Sequence, residues 1–286
     1  MSAAGTAQPA PRAPSSHDER GGAEFNIREL MARQINVLPT ADAVMHAAAD
    51  LFVSAAARAI AATGRFTVAL SGGSTPRSLY TLLATPTNAA RIDWARVEIF
   101  WGDERCVAPG DSASNFRMTT DALLAHVPIP ANHLHRIRGE DEPRSAASAY
   151  EREIRTLFAT PNEPPRTTSG ARFDLVLLGM GGNGHTASLF PRLSAVRERQ
   201  RWAVAEYVDE VSMWRVTLTP VVINAAATVL FLVVGREKAA MLHRVLDGPR
   251  EPDALPAQAI EPHAGELVWL IDAAAAAALD QVGAQA

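Results

Sequence analysis

The chain has 286 residues and is 48% hydrophobic, which supplies enough apolar surface for one large core or two small ones. Its charged fraction of 20% excludes a wholly disordered polymer, and its net charge of −4 argues against a nucleic acid or an anionic membrane as the main partner. Because Cys106 is the one cysteine, an intramolecular disulfide and a cysteine-built metal site are also excluded.

The N-terminal segment bears on where the protein acts. Residues 1–24 are rich in Ala, Pro, Ser and Gly without an apolar period, which predicts a disordered tail followed by one domain over residues 25–286. The tail lacks the basic-then-apolar layout of a secretion signal. No apolar run is expected to reach the roughly 18–20 residues of a membrane helix. The sequence therefore predicts a cytoplasmic protein that binds neither membrane nor nucleic acid.

Helical stretches and apolar strands alternate along the predicted domain. The first helix is predicted over residues 41–62 with Thr40 as its N-cap, because a hydroxyl accepts hydrogen bonds from the free N–H groups of a first turn. The other predicted helices cover residues 77–83, 116–126, 146–158 and 237–246. The predicted strands cover residues 66–70, 97–101, 173–178, 202–208, 216–219, 229–234 and 267–271, and an exposed loop covers 160–171.

Continuous apolar strands that alternate with helices are typical of a parallel sheet covered on both faces. The sequence therefore predicts an α/β fold, a single doubly wound domain with a mainly parallel sheet flanked by helices. Ligands of such folds bind beyond the carboxyl ends of the strands. The motifs described next all follow predicted strands, so they lie where a ligand is expected.

The segment Ser71-Gly72-Gly73-Ser74-Thr75-Pro76 joins a strand to a helix. Glycines let the backbone approach a ligand closely, and Thr75 as N-cap with Pro76 in the first helical position would begin the helix. The free N–H groups and the helix dipole would then favour an anion such as phosphate. An ordinary, well-capped turn is the alternative. The segment lacks the lysine of a nucleotide P-loop, which argues against ATP.

The glycine-rich segment Gly179-Met180-Gly181-Gly182-Asn183-Gly184-His185 supports two interpretations. Its G-x-G-x-x-G spacing, with Glu206 about 20 residues on, matches a dinucleotide-binding fingerprint. No apolar helix follows it, however, and Pro191 would interrupt one. The second interpretation is a loop that presents His185 to a cleft, where a neutral imidazole suits a general base. A structural histidine stays as the alternative.

Asp103-Glu104-Arg105 follows the strand at 97–101. This triplet is either a solvated turn with a local ion pair or a device that places Arg105 beside a charged or polarised substrate oxygen. The next residue, Cys106, is interpreted as a packing residue, although the adjacent Arg105 would lower its thiol pKa.

Two further patterns argue against other chemistries. His133 and His135 lie on a predicted strand with no nearby acidic ligand triad, so a metal site is not predicted. No G-x-S-x-G nucleophile elbow occurs, so a serine nucleophile is not predicted.

Together these segments resemble the 6-phosphogluconolactonase family, which belongs to a wider α/β group with glucosamine-6-phosphate deaminase. The matching stretches are LSGGSTPRSLY (70–80), WGDER (101–105), SASN (112–115), LGMGGNGHTASLFP (178–191), RVTLTP (215–220), NAA (224–226), VGREKA (234–239) and PAQAIEPHAGELVWLID (256–272). Eight stretches in this order, spanning nearly the whole chain from about residue 37, are far more specific than any one of them.

The resemblance implies a phosphate site at one end of a sugar lactone. The 6-phosphate would bind the Ser71–Thr75 loop, with Arg215 and Lys238 as its basic partners. Lys238 is the one lysine in a chain with 26 arginines. A flexible ammonium therefore falls where a point charge for phosphate is wanted.

For the lactone end, the resemblance implies His185 as the general base, Asp103 and Arg105 as lining residues, and Asn115 as a contact to sugar hydroxyls. One residue departs from the family, in which the segment usually reads D-G-H and Asn183 here replaces the aspartate. An amide oxygen can still accept the ring N–H, but it stabilises the imidazolium less than a carboxylate does.

The expected activity is hydrolysis of 6-phosphogluconolactone in the pentose phosphate pathway, with no metal, nucleotide or other cofactor. The alternatives are an amino-sugar-phosphate deaminase/isomerase, which needs a carboxylate base, and a sugar-phosphate-sensing regulatory domain. The second of these would carry a DNA-binding helix pair, which residues 1–24 do not supply.

Overall fold

The computed structural model describes residue 1, residues 33–159 and residues 172–280. The predicted tail (beyond residue 1) and the predicted loop at 160–171 lie outside the described residues, so both stay predictions. The strands of the described part are β1 (Gln34–Leu38), β2 (Phe66–Leu70), β3 (Val97–Trp101), β4 (Asp103–Arg105), β5 (Leu134–His135), β6 (Leu175–Gly179), β7 (Ala203–Val208), β8 (Met213–Leu218), β9 (Thr228–Val233) and β10 (Glu266–Asp272). Its α-helices are α1 (Ala41–Thr63), α2 (Ser74–Leu83), α3 (Pro86–Ala89), α4 (Asn115–Ala122), α5 (Pro143–Phe158), α6 (Pro220–Ile223) and α7 (Ala239–Leu246).

Seven of the described strands form a sheet in the order β1-β10-β9-β6-β2-β3-β5, in which every neighbouring pair is parallel. Strands β2 and β9 are buried along their whole length. Such strands are continuously apolar because both faces of the sheet are covered. Helix α1 packs against β2 and β10, and α2 packs against β6 and β9. The predicted fold class, a mainly parallel sheet flanked by helices, is confirmed.

The direction in which strands are added reverses at β2. The chain places β3 and β5 on one side of β2, and then returns to place β6, β9 and β10 on the other side. The connections that leave β2 and β6 therefore diverge from the carboxyl ends of neighbouring strands. This divergence opens the crevice in which such sheets bind ligands. The Ser71–Pro76 and Gly179–His185 segments both begin there.

A separate antiparallel sheet of three strands, in the order β4-β8-β7, was not indicated by the sequence. It contains the strands predicted at 202–208 and 216–219. They pair with each other because the short turn Asp209–Val211 connects them, whereas parallel strands need a long crossover. Asp103-Glu104-Arg105 is the edge strand of this sheet, and Asp103 and Glu104 are buried. The solvated-turn interpretation of this triplet is therefore wrong.

Local capping sets where the first two helices begin. Thr40 caps α1 as predicted, since its hydroxyl accepts a hydrogen bond from the first turn at 3.1 Å. Helix α2 begins at Ser74 with Gly73 as its N-cap, so Thr75 and Pro76 lie inside the first turn and the predicted Thr75 cap is wrong. The backbone of Gly73 has φ of 105°, a conformation that glycine adopts without strain, and this lets the helix begin early.

By length and composition alone, α1 is a described helix that could cross a membrane, so the expectation that no apolar run is long enough is wrong. Its buried residues recur every three or four positions along one face. They are Val44, Met45, Ala48, Ala49, Phe52, Ala55, Ala56 and Ala59. Because this face packs against β2 and β10, we interpret α1 as a core helix of the domain.

His135 at the end of β5 lies between two carboxylates. Its Nδ1 is 2.7 Å from Glu153 and its Nε2 is 2.8 Å from Glu98, while its ring stacks on Phe100 with centroids 4.2 Å apart. Two carboxylates that lie far from it in sequence therefore flank His135. Burial by itself lowers the pKa of His135, but the two carboxylates outweigh burial and raise the pKa to about 9.

His135→Gln is expected to destabilise the protein at neutral pH by an amount that shrinks in alkali. The pKa of about 9 in the folded state exceeds an unfolded value of about 6.5, so the stabilisation is complete below the lower value and is lost as pH rises through the higher one. Thermal denaturation of both proteins from about pH 6 to about pH 10 measures this difference. A constant difference in Tm would assign the effect to the Phe100 stack instead.

Candidate active site

The loop after β2 is held at its first residue by Tyr80 of α2. The Tyr80 hydroxyl donates to the carbonyl of Ser71 at 2.7 Å and accepts from the N–H of Ser71 at 2.9 Å. Gly72 then packs directly on Asn115, because a Cβ at Gly72 would lie 2.0 Å from the amide oxygen. Residues 73–75 are exposed or half-buried. The start of α2 is therefore open to an anion, as the phosphate interpretation requires.

Tyr80→Phe is expected to lower the free energy of unfolding by about 1–3 kcal/mol, because it leaves two buried polar groups of Ser71 without partners. Both residues are buried. Urea denaturation measures the change, and Tyr207→Phe, which alters a tyrosine that is 41% exposed, is the matched control. Equal, small losses in the two variants would show that the hydroxyl does not hold the loop.

The carboxylate of Asp103 contacts three side chains. It accepts a hydrogen bond from Ser188 Oγ at 2.5 Å and lies 3.3 Å from Asn115 Nδ2 and 4.0 Å from Arg215 Nη1. Asn115 Nδ2 also donates to the Asp103 carbonyl at 2.9 Å. Since Asn115 is only 1% exposed, its amide joins Gly72 to Asp103 within the protein rather than standing open to a sugar.

Arg105 and Arg215 are directly opposed in β4 and β8. Side chains at such positions project from the same face of the sheet. Arg105 donates to the carbonyl of Ala113, but the Nε atoms of both arginines are buried and have no hydrogen-bond partner among the described residues. Burial lowers the pKa of Arg215, Asp103 opposes this, and Arg105 adds to it. Buried charged donors without protein partners favour an oxygen-rich anion as ligand.

The glycine segment after β6 presents the imidazole of His185. The His185 ring stacks on Phe190 with centroids 4.2 Å apart. Gly181 lies against the edge of the ring, where a Cβ would be 2.1 Å from Cε1, so a larger residue would displace the imidazole. His185 Nδ1 donates to Asn183 Oδ1 at 2.6 Å. Because an amide oxygen only accepts, Nδ1 carries the ring proton and Nε2 keeps its lone pair.

The surroundings of His185 favour its neutral form. Burial lowers its pKa, Arg215 and Lys238 lower it further, and Asp103 and Glu210 oppose them. A neutral imidazole with a free Nε2 is the state that a general base requires at neutral pH. The same influences place Asp103, Arg215, Glu210 and Lys238 within electrostatic reach of His185.

Lys238 reaches this site from the segment after β9. It ends the 3₁₀ turn Arg236–Lys238 and immediately precedes α7. Gly235 begins the turn with φ of 100°, and its N–H donates to the carboxylate of Asp272 at 3.1 Å. Lys238 and Arg215 both lower the pKa of His185, although the three residues lie far apart in sequence.

The surroundings of Cys106 and Glu206 differ from those that the sequence suggested. Burial raises the pKa of the Cys106 thiol to about 11 and Glu104 adds to this, so the expected lowering by Arg105 is wrong. The carboxylate of Glu206 accepts hydrogen bonds from the N–H groups of Ser194 and Ala195, which leaves it unavailable to a ribose. Turns rather than an α-helix follow the glycine segment. The dinucleotide interpretation is therefore wrong.

Three residues received no role from the sequence. Glu104 accepts hydrogen bonds from two N–H groups at the start of α4, so it caps that helix from within the predicted triplet. Ser188, which donates to Asp103, lies three residues after His185 in a matching stretch and could have been noticed there. Glu210 accepts from Asn183 Nδ2 at 2.8 Å, and nothing in the sequence indicated that contact.

Comparison with known proteins shows the family to which the chain belongs. The family model described as glucosamine-6-phosphate isomerases/6-phosphogluconolactonase matches residues 39–269. A 6-phosphogluconolactonase of Nostoc sp. is 40% identical over 251 residues, which cover 87% of this chain and 99% of the relative. That of Synechocystis sp. is 37% identical over 243 residues, or 85% and 96% of the two chains. The solved 6-phosphogluconolactonase from Trypanosoma cruzi has a TM-score of 0.75 at 28% identity, with 86% of this chain and 97% of that one covered. The chain therefore belongs to the glucosamine-6-phosphate isomerase/6-phosphogluconolactonase family.

Proposed function

We propose that this protein hydrolyses 6-phospho-D-glucono-1,5-lactone to 6-phosphogluconate in the pentose phosphate pathway. The observation that carries the proposal is the hydrogen bond from His185 Nδ1 to Asn183, which leaves Nε2 to accept a proton. Burial and Arg215 lower the pKa of His185, and the Nε atoms of Arg215 and Arg105 have no hydrogen-bond partner in the described part of the chain. Its similarity to named 6-phosphogluconolactonases supports the same activity. The substrate is a small phosphorylated lactone and the compartment is the cytoplasm, with which a net charge of −4 and a single cysteine agree.

The reaction needs an activated water, a site for the oxyanion and a proton for the leaving oxygen. His185 Nε2 takes a proton from water as the water oxygen bonds to C1 of the lactone. The resulting tetrahedral oxyanion is stabilised by the guanidinium of Arg105. When it collapses, the bond from C1 to the ring oxygen breaks and His185 returns the proton to that oxygen. The product carries a new hydroxyl and a carboxylic acid, which ionises.

The 6-phosphate binds away from the reacting carbon. We assign it to the backbone of the Ser71–Thr75 loop at the start of α2 and to the cations Arg215 and Lys238. Binding energy from this end holds C1 in register with His185, which is how a group remote from the reaction raises its rate. In this scheme no metal, nucleotide or covalent nucleophile takes part.

Asp103 is not assigned to proton transfer. Its carboxylate is held by Ser188, Asn115 and Arg215, so its charge fixes the site and orients Arg215. A deaminase/isomerase needs a carboxylate that moves a proton between C1 and C2 of the sugar. These contacts therefore favour hydrolysis over that alternative.

The proposal is tested with the purified full chain in EDTA. Acid release from 6-phosphogluconolactone should exceed the spontaneous rate, which is measured without enzyme and subtracted. Glucosamine 6-phosphate should yield no ammonia in a parallel assay. Ammonia release without lactone hydrolysis would establish the deaminase activity, and no turnover of either compound, with binding alone, would favour a sensing domain.

A further inference from the structure

Asn183 connects the candidate base to a carboxylate in the turn between β7 and β8. Its Oδ1 accepts from His185 Nδ1 at 2.6 Å and from the His185 backbone N–H at 3.1 Å. Its Nδ2 donates to Glu210 Oε2 at 2.8 Å. Glu210 is exposed and lies in the turn Asp209–Val211 between β7 and β8. The chain Glu210–Asn183–His185 thus joins the antiparallel sheet to the glycine segment after β6.

The chemistry of these groups allows only one donor-to-acceptor direction along the hydrogen bonds from His185 through Asn183 to Glu210. An ionised carboxylate can only accept hydrogen bonds, so the –NH₂ end of the Asn183 amide must face Glu210. Its carbonyl end must then face His185, which requires a proton on Nδ1 and leaves the lone pair on Nε2. We propose that Glu210 is a positioning residue that fixes the orientation of Asn183 and, through it, the tautomer of His185. This inference rests on the proposed role of His185 as the base.

The other charged groups around His185 do not orient the Asn183 amide. Asp103 and Arg215 of the antiparallel sheet and Lys238 before α7 act on His185 through their charges. None of the three is a hydrogen-bond partner of the imidazole or of Asn183. Because Glu210 is exposed, water screens its charge and its effect on the pKa of His185 is modest. Its directional effect depends instead on the hydrogen bond to Asn183 Nδ2.

The amide of Asn183 is oriented from both ends, since the His185 backbone N–H holds its Oδ1 and Glu210 holds its Nδ2. An aspartate there would accept the Nδ1 proton with either oxygen, so its orientation would not matter. An asparagine has one accepting and one donating end, and a flipped amide would draw a lone pair to Nδ1 and leave the proton on Nε2. That tautomer cannot take a proton from water at Nε2. Asn183 and Glu210 together therefore do what a single carboxylate would do.

Glu210→Lys tests the inference because it replaces the hydrogen-bond acceptor at position 210 with a donor. Lysine only donates, so it favours the flipped amide and a proton on Nε2. The tautomer of His185 is measured by ¹⁵N NMR of the labelled full-length protein above the pKa of His185, with His185→Ala identifying the signals. We expect Nδ1–H in the wild type and a raised Nε2–H population in the variant. The kcat should fall about 2- to 5-fold with KM nearly unchanged, since a contact to an exposed charge contributes far less than a buried one.

Two further variants separate direction from charge. Asp209→Lys adds the same charge in the same turn on an exposed residue, and it should change neither tautomer nor kcat. Glu210→Gln removes the charge but keeps an accepting oxygen, so Nδ1–H should stay dominant. An unchanged tautomer in Glu210→Lys, or an equal change in Asp209→Lys, would overturn the inference. Full activity of His185→Ala would overturn the proposed base instead, and the NMR result does not depend on it.

Discussion

His185→Ala is expected to lower kcat for 6-phosphogluconolactone hydrolysis by about 10²–10⁴-fold, the usual contribution of a general base. The imidazole is the group whose Nε2 is left free by the hydrogen bond from Nδ1 to Asn183. Alanine removes it without touching the loop after β2 or Lys238. Binding of 6-phosphogluconate, measured by calorimetry, should therefore be nearly unchanged. The residual rate can approach that of spontaneous hydrolysis, so the uncatalysed rate is subtracted at each pH.

The same variant has a matched control and a pH test. His46→Ala removes an exposed histidine of α1 and should leave kcat unchanged. In the wild type, kcat/KM should fall as pH drops through the pKa of His185, because the protonated ring cannot accept a proton. Burial lowers that pKa, so the fall should lie below the ordinary value of about 6.5. A His185→Ala variant with full activity would contradict the mechanism while leaving the family unchanged.

Lys238→Met is expected to lower kcat/KM for the phosphorylated lactone by about 10- to 150-fold. This corresponds to the loss of one charge-assisted phosphate contact, about 1.5–3 kcal/mol. Methionine keeps most of the aliphatic stem, so the fold should be preserved. Because the residue lies at the phosphate end, hydrolysis of unphosphorylated gluconolactone should hardly change.

Arg236→Met is the control for Lys238→Met, since it removes an exposed cation from the same 3₁₀ turn. It should affect both lactones little. A similar loss on both substrates in Lys238→Met would move Lys238 out of the phosphate site. A similar loss in both variants on the phosphorylated lactone would assign the effect to the general field of the turn.

The fold was predictable where the sequence pattern has one physical cause. The apolar runs at 66–70 and 229–234 indicated buried parallel strands, and both lie inside the sheet. The antiparallel sheet was not predictable because its edge strand, Asp103–Arg105, consists of charged residues. Their burial depends on partners that are distant in sequence, such as Ser188 for Asp103. Pattern reasoning cannot see compensation of this kind.

The sequence likewise indicated some residues of the candidate site and not others. The glycine segments indicated His185 and the Ser71–Thr75 loop because clustered glycines after a strand let the backbone approach a ligand closely. The resemblance then pointed to Arg215 and Lys238. The role of Glu210 was not predictable because it depends on a contact with Asn183, which lies 27 residues away in sequence. An exposed glutamate in a turn has nothing in its local sequence to distinguish it.

Tyr80 and its counterpart Tyr150 determine which groups a pH profile of this enzyme can report. Tyr150 holds the end of β3 as Tyr80 holds the end of β2, with its hydroxyl 2.8 Å from both the N–H and the carbonyl of Trp101. Burial raises the pKa of both phenols far above the ordinary tyrosine value. The two strand ends from which the site is built therefore carry no proton equilibrium in the working range of an assay. An alkaline decline in rate would have to come from other groups, either those at the ligand or His135, which stacks on Phe100 of β3 and has a pKa of about 9.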